Sequence, residues 1–356
     1  MKIIFTFLTF GENIFGGIEH ALYNFILGLT KQGVDCLVYT SGTFVKDKKI
    51  NGIRIFISKY LQKYYTGSDR NIYESYNKNR DSIKKEFTNL FNLEKPDLII
   101  SVDHLWGIIP ILDLKLPCRK ILWNHLFHNR ELLKKVVNDD FELFAVSDCV
   151  TKKIKTLTNK EVKILPNPII YEDFQIKRNP RKIIFCNARI SVEKRIIDAV
   201  KAFSLISGRL KGFELHLCSG GFHFANSSKS MAEILDFLAI QRNIKVVFHS
   251  NFKWSEIPNF LSTCSLILLP TGTESFGIAA LEAMAAGVPL VTTTAGNLPD
   301  LVGNSCQLVP VGNVSKLSDA ILCALKKNSD TLIGKKRAES YDYLNVSKKF
   351  LKQIEL

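Results

Sequence analysis

PTGTESFGIAALEAMAAGVPLVTTTAGNLPDLV, residues 270–302, decides how this chain reads. The apolar run LILLP ends at Pro270 as a strand, and a loop carrying Glu274 follows. From Ile278 the pattern is helical, and Gly287 closes the helix. VPLVTT is the next strand, with the glycine turn AGNLPD at its end. Two successive strand ends thus set loops at one edge of a parallel sheet, where α/β proteins bind ligands. Phe276, Gly277 and Ile278 open the helix, and Ser275 is placed to cap it. Unpaired N–H groups and a partial positive charge at such an end suit a phosphate. Gly277 has no Cβ, so a ligand can approach the backbone there. Glu274 stands just before the helix and Glu282 about two turns in, roughly 8–12 Å further along the axis. A carboxylate at each end of an anion site matches the series sugar, diphosphate, ribose of a nucleotide-sugar. By spacing alone, GIAALEAMAAG is equally a small-residue helix packed on a sheet, with a structural Glu282.

Composition sets the frame. The chain has 356 residues, 46% of them hydrophobic, enough for two domains with a core each. The formal charge of +14 divides evenly about residue 168. A nucleic-acid module concentrates its positive charge, and no basic–aromatic interleaving is present, so no nucleic-acid partner is expected. The charge is compatible with an anionic membrane face or a phosphorylated acceptor, and equally with a merely basic soluble enzyme. The run TKKIKTLTNKEVK, residues 151–163, is basic and could meet such a face. No apolar run approaches the ~20 residues of a membrane helix. MKIIFTFLTF lacks a small-residue cleavage site and reads as a buried first strand. The eight cysteines form no C-x-x-C pair and sit mostly in apolar runs, so they read as free buried thiols of a reducing cytoplasm.

Short apolar runs alternate with helical patterns throughout. The expected strands are KIIFTFL, DCLVYT, IRIFI, DLIIS, KILWN and LFAVS, then KIIFC, FELHL, KVVFH, LILLP and PLVTT. Unbroken apolar strands separated by helices indicate α/β architecture with parallel sheets covered on both faces. Residues 165–182, with three prolines, read as the linker between two such series. The closing stretch SYDYLNVSKKFLKQIEL has helical spacing.

Other clusters carry chemistry. After IIFCNA come Arg189 and Lys194, then a helix. Breaking a sugar–phosphate bond puts negative charge on the leaving diphosphate, which a guanidinium fork and an ammonium can stabilise. The same residues also fit a solvated charge cluster. Gly16 and Gly17 open an amphipathic helix after the first strand, with backbone N–H groups free to face an anion. His104 and His125 both follow strands at the ligand-binding edge, and His128 is near the second. No D-x-D pair occurs, so metal-independent chemistry is expected, with no metal and no cofactor.

The segment E-S-F-G, then E-A-M-A-A-G-V-P, then G-x-x-P-D, resembles the C-terminal domain of the large retaining glycosyltransferase family with two Rossmann-like domains, the GT-B, family 4 or group 1 type. Asp300 stands where that family more often has Glu, and Ala188 and Arg195 stand where it has glycines. The resemblance implies two Rossmann-like domains facing each other across a cleft. It places residues 1–168 on the acceptor side, 169–335 on the nucleotide-sugar side, and 336–356 as a helix crossing back to the first domain. It implies that Glu274 holds the sugar and Glu282 the ribose of the donor. Arg189, Lys194 and the N–H groups of Phe276 to Ile278 would neutralise the diphosphate, with Gly16 and Gly17 facing it from the other side. His125, more than His104 or His128, would contact the sugar or phosphate. The implied activity is transfer of a hexose from a nucleoside diphosphate sugar, a UDP-sugar, to a glycan or lipid-linked acceptor in cell-surface polysaccharide or glycoconjugate synthesis. It would act in the cytoplasm or peripherally on the inner membrane face. The acceptor would attack the face the leaving group departs from, a phosphate oxygen acting as base. Two rivals are a nucleotide-sugar epimerase or hydrolase on the same scaffold, and a catalytically silent sugar-nucleotide-binding subunit. Acceptor choice is expected from loops such as residues 58–80, whose tyrosines can stack on sugars or cover a core.

Overall fold

The computed structural model describes residues 1–11, 16–41, 48–61, 69–104, 106–126, 140–218, 227–241, 244–250, 252–326 and 331–354. The chain divides into two units, Met1–Pro168 with Tyr343–Leu356, and Ile169–Asp342.

The first unit is built on eight strands. They are β1 (Lys2–Thr6), β2 (Asp35–Thr40), β3 (Lys49–Ile50), β4 (Ile53–Ile57), β5 (Leu98–Val102), β6 (Arg119–Asn124), β7 (Phe141–Ala145) and β8 (Val162–Ile164). Their order is β3-β4-β2-β1-β5-β6-β7-β8, parallel except for the β3–β4 pair. The apolar β1 and β5 are buried along nearly their whole length, as strands covered on both faces must be. The helix Gly17–Lys31 carries Phe25, which meets Trp123 of β6 and Phe350 of the last helix, Tyr343–Ile354, at ring distances of 5.0 and 5.1 Å. Gly28 allows the two helices to approach: a Cβ there would lie 2.5 Å from the Tyr343 carbonyl oxygen.

The second unit has six strands, β9 (Ile183–Cys186), β10 (Glu214–Cys218), β11 (Val246–His249), β12 (Leu266–Leu269), β13 (Leu290–Thr293) and β14 (Gln307–Val309). Their order is β11-β10-β9-β12-β13-β14, all parallel. Ile184, Leu215, Leu217, Leu266 and Leu268 share one core with Phe203 of the helix Ile196–Ile206 and Ile321 of the helix Val314–Lys326.

The sequence boundary at 336 falls inside a helix, Leu332–Glu339, that belongs to the second unit. Gly334 of that helix abuts Met284, and the return to the first unit begins at Tyr343. Residues 165–182 are a fastened crossing. The Leu165 and Pro168 carbonyls accept bonds from Trp123 Nε1 and Asn24 Nδ2 in the first unit. Beyond them, Ile169 bridges Asp342, and Arg178 donates to the carbonyls of Cys264 and Gly287 in the second. All eight cysteines are free thiols, and burial pushes Cys36, Cys264 and Cys306 up to about 12.

Candidate active site

In a doubly wound sheet, ligands bind outside the carboxyl ends of the strands where the chain order reverses. In the second sheet that point lies between β9 and β12, which are neighbours. The residues following them are Asn187 to Arg195 and Pro270 to Gly277.

These two loops are joined by side chains and backbone. Lys194 Nζ lies 2.8 Å from Glu274 Oε2. Asn187 Nδ2 donates to Glu282 Oε2 at 3.0 Å. Gly272 N–H donates to the Glu193 carbonyl at 2.8 Å. Arg189, half-buried, lies 3.7 Å from Glu193 Oε1. Glu282 is 6% exposed on the helix Ile278–Ala285. The turn after β13 is the third member. Asn297 donates its backbone N–H to the Glu274 carbonyl at 3.0 Å and its side-chain amide to the Phe276 carbonyl at 2.9 Å. Gly296 makes that approach possible, since a Cβ on it would lie 1.9 Å from the Glu274 carbonyl oxygen.

Two local expectations are corrected. The helix N-cap is Gly277, at φ 107°, not Ser275, and no side chain caps the helix. The chain must turn at Gly277 through left-handed backbone, and a Cβ there would press on Leu298 and Leu301 at 2.9 Å. The Phe276 side chain faces inward: it is buried and meets the Tyr341 ring edge-on at 5.8 Å. Its contribution to an anion site is therefore confined to the backbone. Arg195 takes left-handed backbone, φ 51°, at the head of its helix, and ion-pairs with Asp198 at 2.7 Å. Such backbone costs a non-glycine residue roughly 1–2 kcal/mol. Asp300 lies in the helix Leu298–Val302, where its carbonyl and that of Leu301 accept bonds from Arg337.

The first unit gathers its own set at the β1/β5 switch point, the reversal in its strand order. Gly16 is the N-cap of the helix Gly17–Lys31, with Gly17 its first residue. His104 follows β5 and His125 follows β6, and both are buried. Asp103 links the two strand ends: its carboxylate accepts the His125 backbone N–H at 2.9 Å, and its own N–H donates to Trp123 O at 2.8 Å. The His125 ring packs on Trp123, 4.2 Å between centroids, and the residue is 1% exposed. His128 lies outside the described residues. In the loop expected to choose the acceptor, Tyr76 is a core residue and Tyr60 is exposed, while 62–68 lie outside the described residues.

Asn187 was missed by sequence reading. It is one polar residue at the end of an apolar strand, and nothing local marks it as the partner of a carboxylate 95 positions away. Among the described residues, no group of three or more His, Cys, Asp or Glu is placed to hold a metal ion, and no helix is long and apolar enough to cross a membrane.

The comparisons agree with this geometry. Residues 170–342 match the model of the glycosyl transferases group 1 family, which is nearly the whole second unit. N-acetyl-alpha-D-glucosaminyl L-malate synthase of Bacillus anthracis is 29% identical over 177 residues, 49% of this chain and 44% of that protein. The match therefore spans less than half the length of that curated relative. Sucrose-phosphate synthase of Thermosynechococcus elongatus superposes with a TM-score of 0.83 at 15% identity, over 99% of this chain and 98% of its own. Anabaena HepE, solved in complex with UDP and glucose, superposes with a TM-score of 0.72 at 16% identity over 99% of both chains. At these identities the structural likeness is one of fold, and the fold is GT-B, two Rossmann-like domains. The second unit thus carries the glycosyl transferases group 1 domain, and the whole chain has the GT-B fold.

Proposed function

We propose that this protein transfers a hexose, with retention at the anomeric carbon, from a UDP-sugar to a glycan or lipid-linked acceptor in cell-surface polysaccharide or glycoconjugate synthesis. The observation that carries the reading is the pair of links across the β9/β12 switch point, Lys194 to Glu274 and Asn187 to Glu282. They hold two carboxylates and one cation around one helix start, with Arg189 on the same loop, a layout that suits a sugar, a diphosphate and a ribose. Glu274 takes the sugar hydroxyls and Glu282 the ribose hydroxyls. Arg189, Lys194 and the backbone N–H groups of Phe276 to Ile278 stabilise charge on the leaving diphosphate. Gly16, Gly17 and His125 belong to the same reading as donor contacts from the first unit. The complex of Anabaena HepE with UDP and glucose supports the choice of UDP.

The cations do the work a divalent metal does elsewhere, so transfer proceeds without one. The protein works at the cytoplasmic face, held to anionic lipid by the exposed Lys152, Lys153 and Lys155 of the helix Asp148–Lys155. The first test is a thermal-shift panel of UDP, GDP, ADP and their sugars. A nucleotide at ~100 times its dissociation constant stabilises by about 2.7 kcal/mol, a shift of a few degrees. UDP alone should produce it. No shift with any nucleotide would refute the donor site, complete loss of transfer in excess EDTA the metal-independent chemistry, and no flotation with anionic liposomes at low salt the membrane role.

A further inference from the structure

The 3.0 Å bond from Asn187 to Glu282 joins the residue that follows β9 to a buried carboxylate. Asn187 is two residues before Arg189, so the segment that carries a phosphate-directed cation also carries the donor that holds Glu282. A glutamate has three side-chain torsions, and a carboxylate has about four acceptor sites. The amide bond from Asn187 restrains the Glu282 rotamer. An apolar residue at 187 would strip a buried carboxylate of that donor.

We infer that Asn187 is a positioning residue for nucleotide recognition: it holds the Glu282 carboxylate in the one orientation that accepts both ribose hydroxyls of the donor. The inference rests on the reading of Glu282 as the ribose ligand. Asn187 touches no substrate; it acts through Glu282. Its effect is therefore confined to ligands that carry the ribose diol.

The chemistry of the pair also predicts a pH signature. Aspartate at 187 would set a second carboxylate at hydrogen-bond distance from Glu282. Two carboxylates that close hold one proton between them, which raises one of their pKa values. The protonated member then donates as the amide does. Asn187→Asp should thus bind nucleotide poorly at pH 8 and recover as the pH falls to 5.

The test is titration calorimetry of UDP and 2′,3′-dideoxy-UDP against the full-length wild type, Asn187→Ala, Asn187→Gln, Asn187→Asp and Glu282→Ala, with melting curves to confirm folding. Wild type should prefer UDP, and Glu282→Ala should lose that preference. Asn187→Ala should weaken UDP by about tenfold and leave dideoxy-UDP unchanged. Asn187→Gln, which keeps an amide, should recover part of the loss. Equal weakening of both ligands in Asn187→Ala would mark the residue as merely structural and overturn the inference. So would a flat pH profile for Asn187→Asp. Full discrimination in Asn187→Ala, with none in Glu282→Ala, overturns the inference alone. Discrimination that survives Glu282→Ala overturns the ribose reading beneath it.

Discussion

Lys194 and Glu274 are an ion pair at 2.8 Å, with side chains 20% and 19% exposed. The two residues proposed to hold different parts of the donor thus neutralise each other. Under the proposed reading, the ammonium passes from the carboxylate to phosphate when donor binds. Lys194→Ala should lower kcat/KM by ~10²–10³, the usual loss when one donor to developing negative charge is removed. The same change should move stability by about 1 kcal/mol or less, because a partly exposed pair is screened by solvent. Steady-state kinetics beside denaturant melts separate the two effects, and unchanged turnover would remove Lys194 from the site.

Gly296 is the second point where the site depends on backbone. Its φ is +51°, and a Cβ would meet the Glu274 carbonyl at 1.9 Å. Gly296→Ala should therefore destabilise by about 2–3 kcal/mol and displace Glu274. Gly208, whose Cβ position is open, is the control and should be nearly neutral as alanine. Urea unfolding of both variants checks the contrast.

A third expectation concerns pH. His216 Nδ1 and His249 Nε2 lie 2.8 Å apart, His216 Nε2 lies 3.0 Å from Glu214 Oε2, and Lys245 Nζ donates to Glu214 Oε1. Phe252 and Phe260 pack around them in a groove of about 700 Å³ that Arg181 and Glu256 also line. Burial, then the neighbouring His216, holds His249 below the ordinary histidine value. The unfolded chain thus takes up this proton more readily than the folded one. Stability is complete above the unfolded histidine value of ~6.5 and declines as pH falls below it. The melting temperature should drop between pH 7 and 5, and His249→Asn should flatten that limb. Glu214 and Glu94 are held low by Lys245 and Arg54 respectively, so their contributions are lost at lower pH, from the ordinary carboxylate value downward.

The central parallel strands were legible because they are apolar runs buried on both faces, as DCLVYT and LILL show. Three edge strands were not. Lys49–Ile50, Val162–Ile164 and Gln307–Val309 are two or three residues long, too short to show a period, and form only against a neighbouring strand. At the site, the glutamates and cations stood out by type and spacing. Asn187, Asn297 and Asp103 did not, since each acts on a partner brought to it by the sheet, from 21 to 95 positions away. The helix start was misplaced at Ser275 because propensity favours serine caps. Here the turn needs positive φ, which only glycine adopts without strain.

Phe350 is fully buried against Phe25 and Phe144, at 5.1 and 5.7 Å. Phe350→Ala should cost about 3–5 kcal/mol, measured by denaturant unfolding, and the loss should appear in the first unit's transition. A loss confined to the second unit would contradict the packing.

The last helix, Tyr343–Ile354, completes a core begun by the first thirty residues. During translation residues 1–168 emerge before the second unit yet lack their Phe350 wall until that residue is made. A unit whose strands are made early is thus closed by a helix made after the second unit. A ribosome stalled before residue 343 would carry a closed second unit and an open first one, with the faces of Phe25 and Phe144 uncovered.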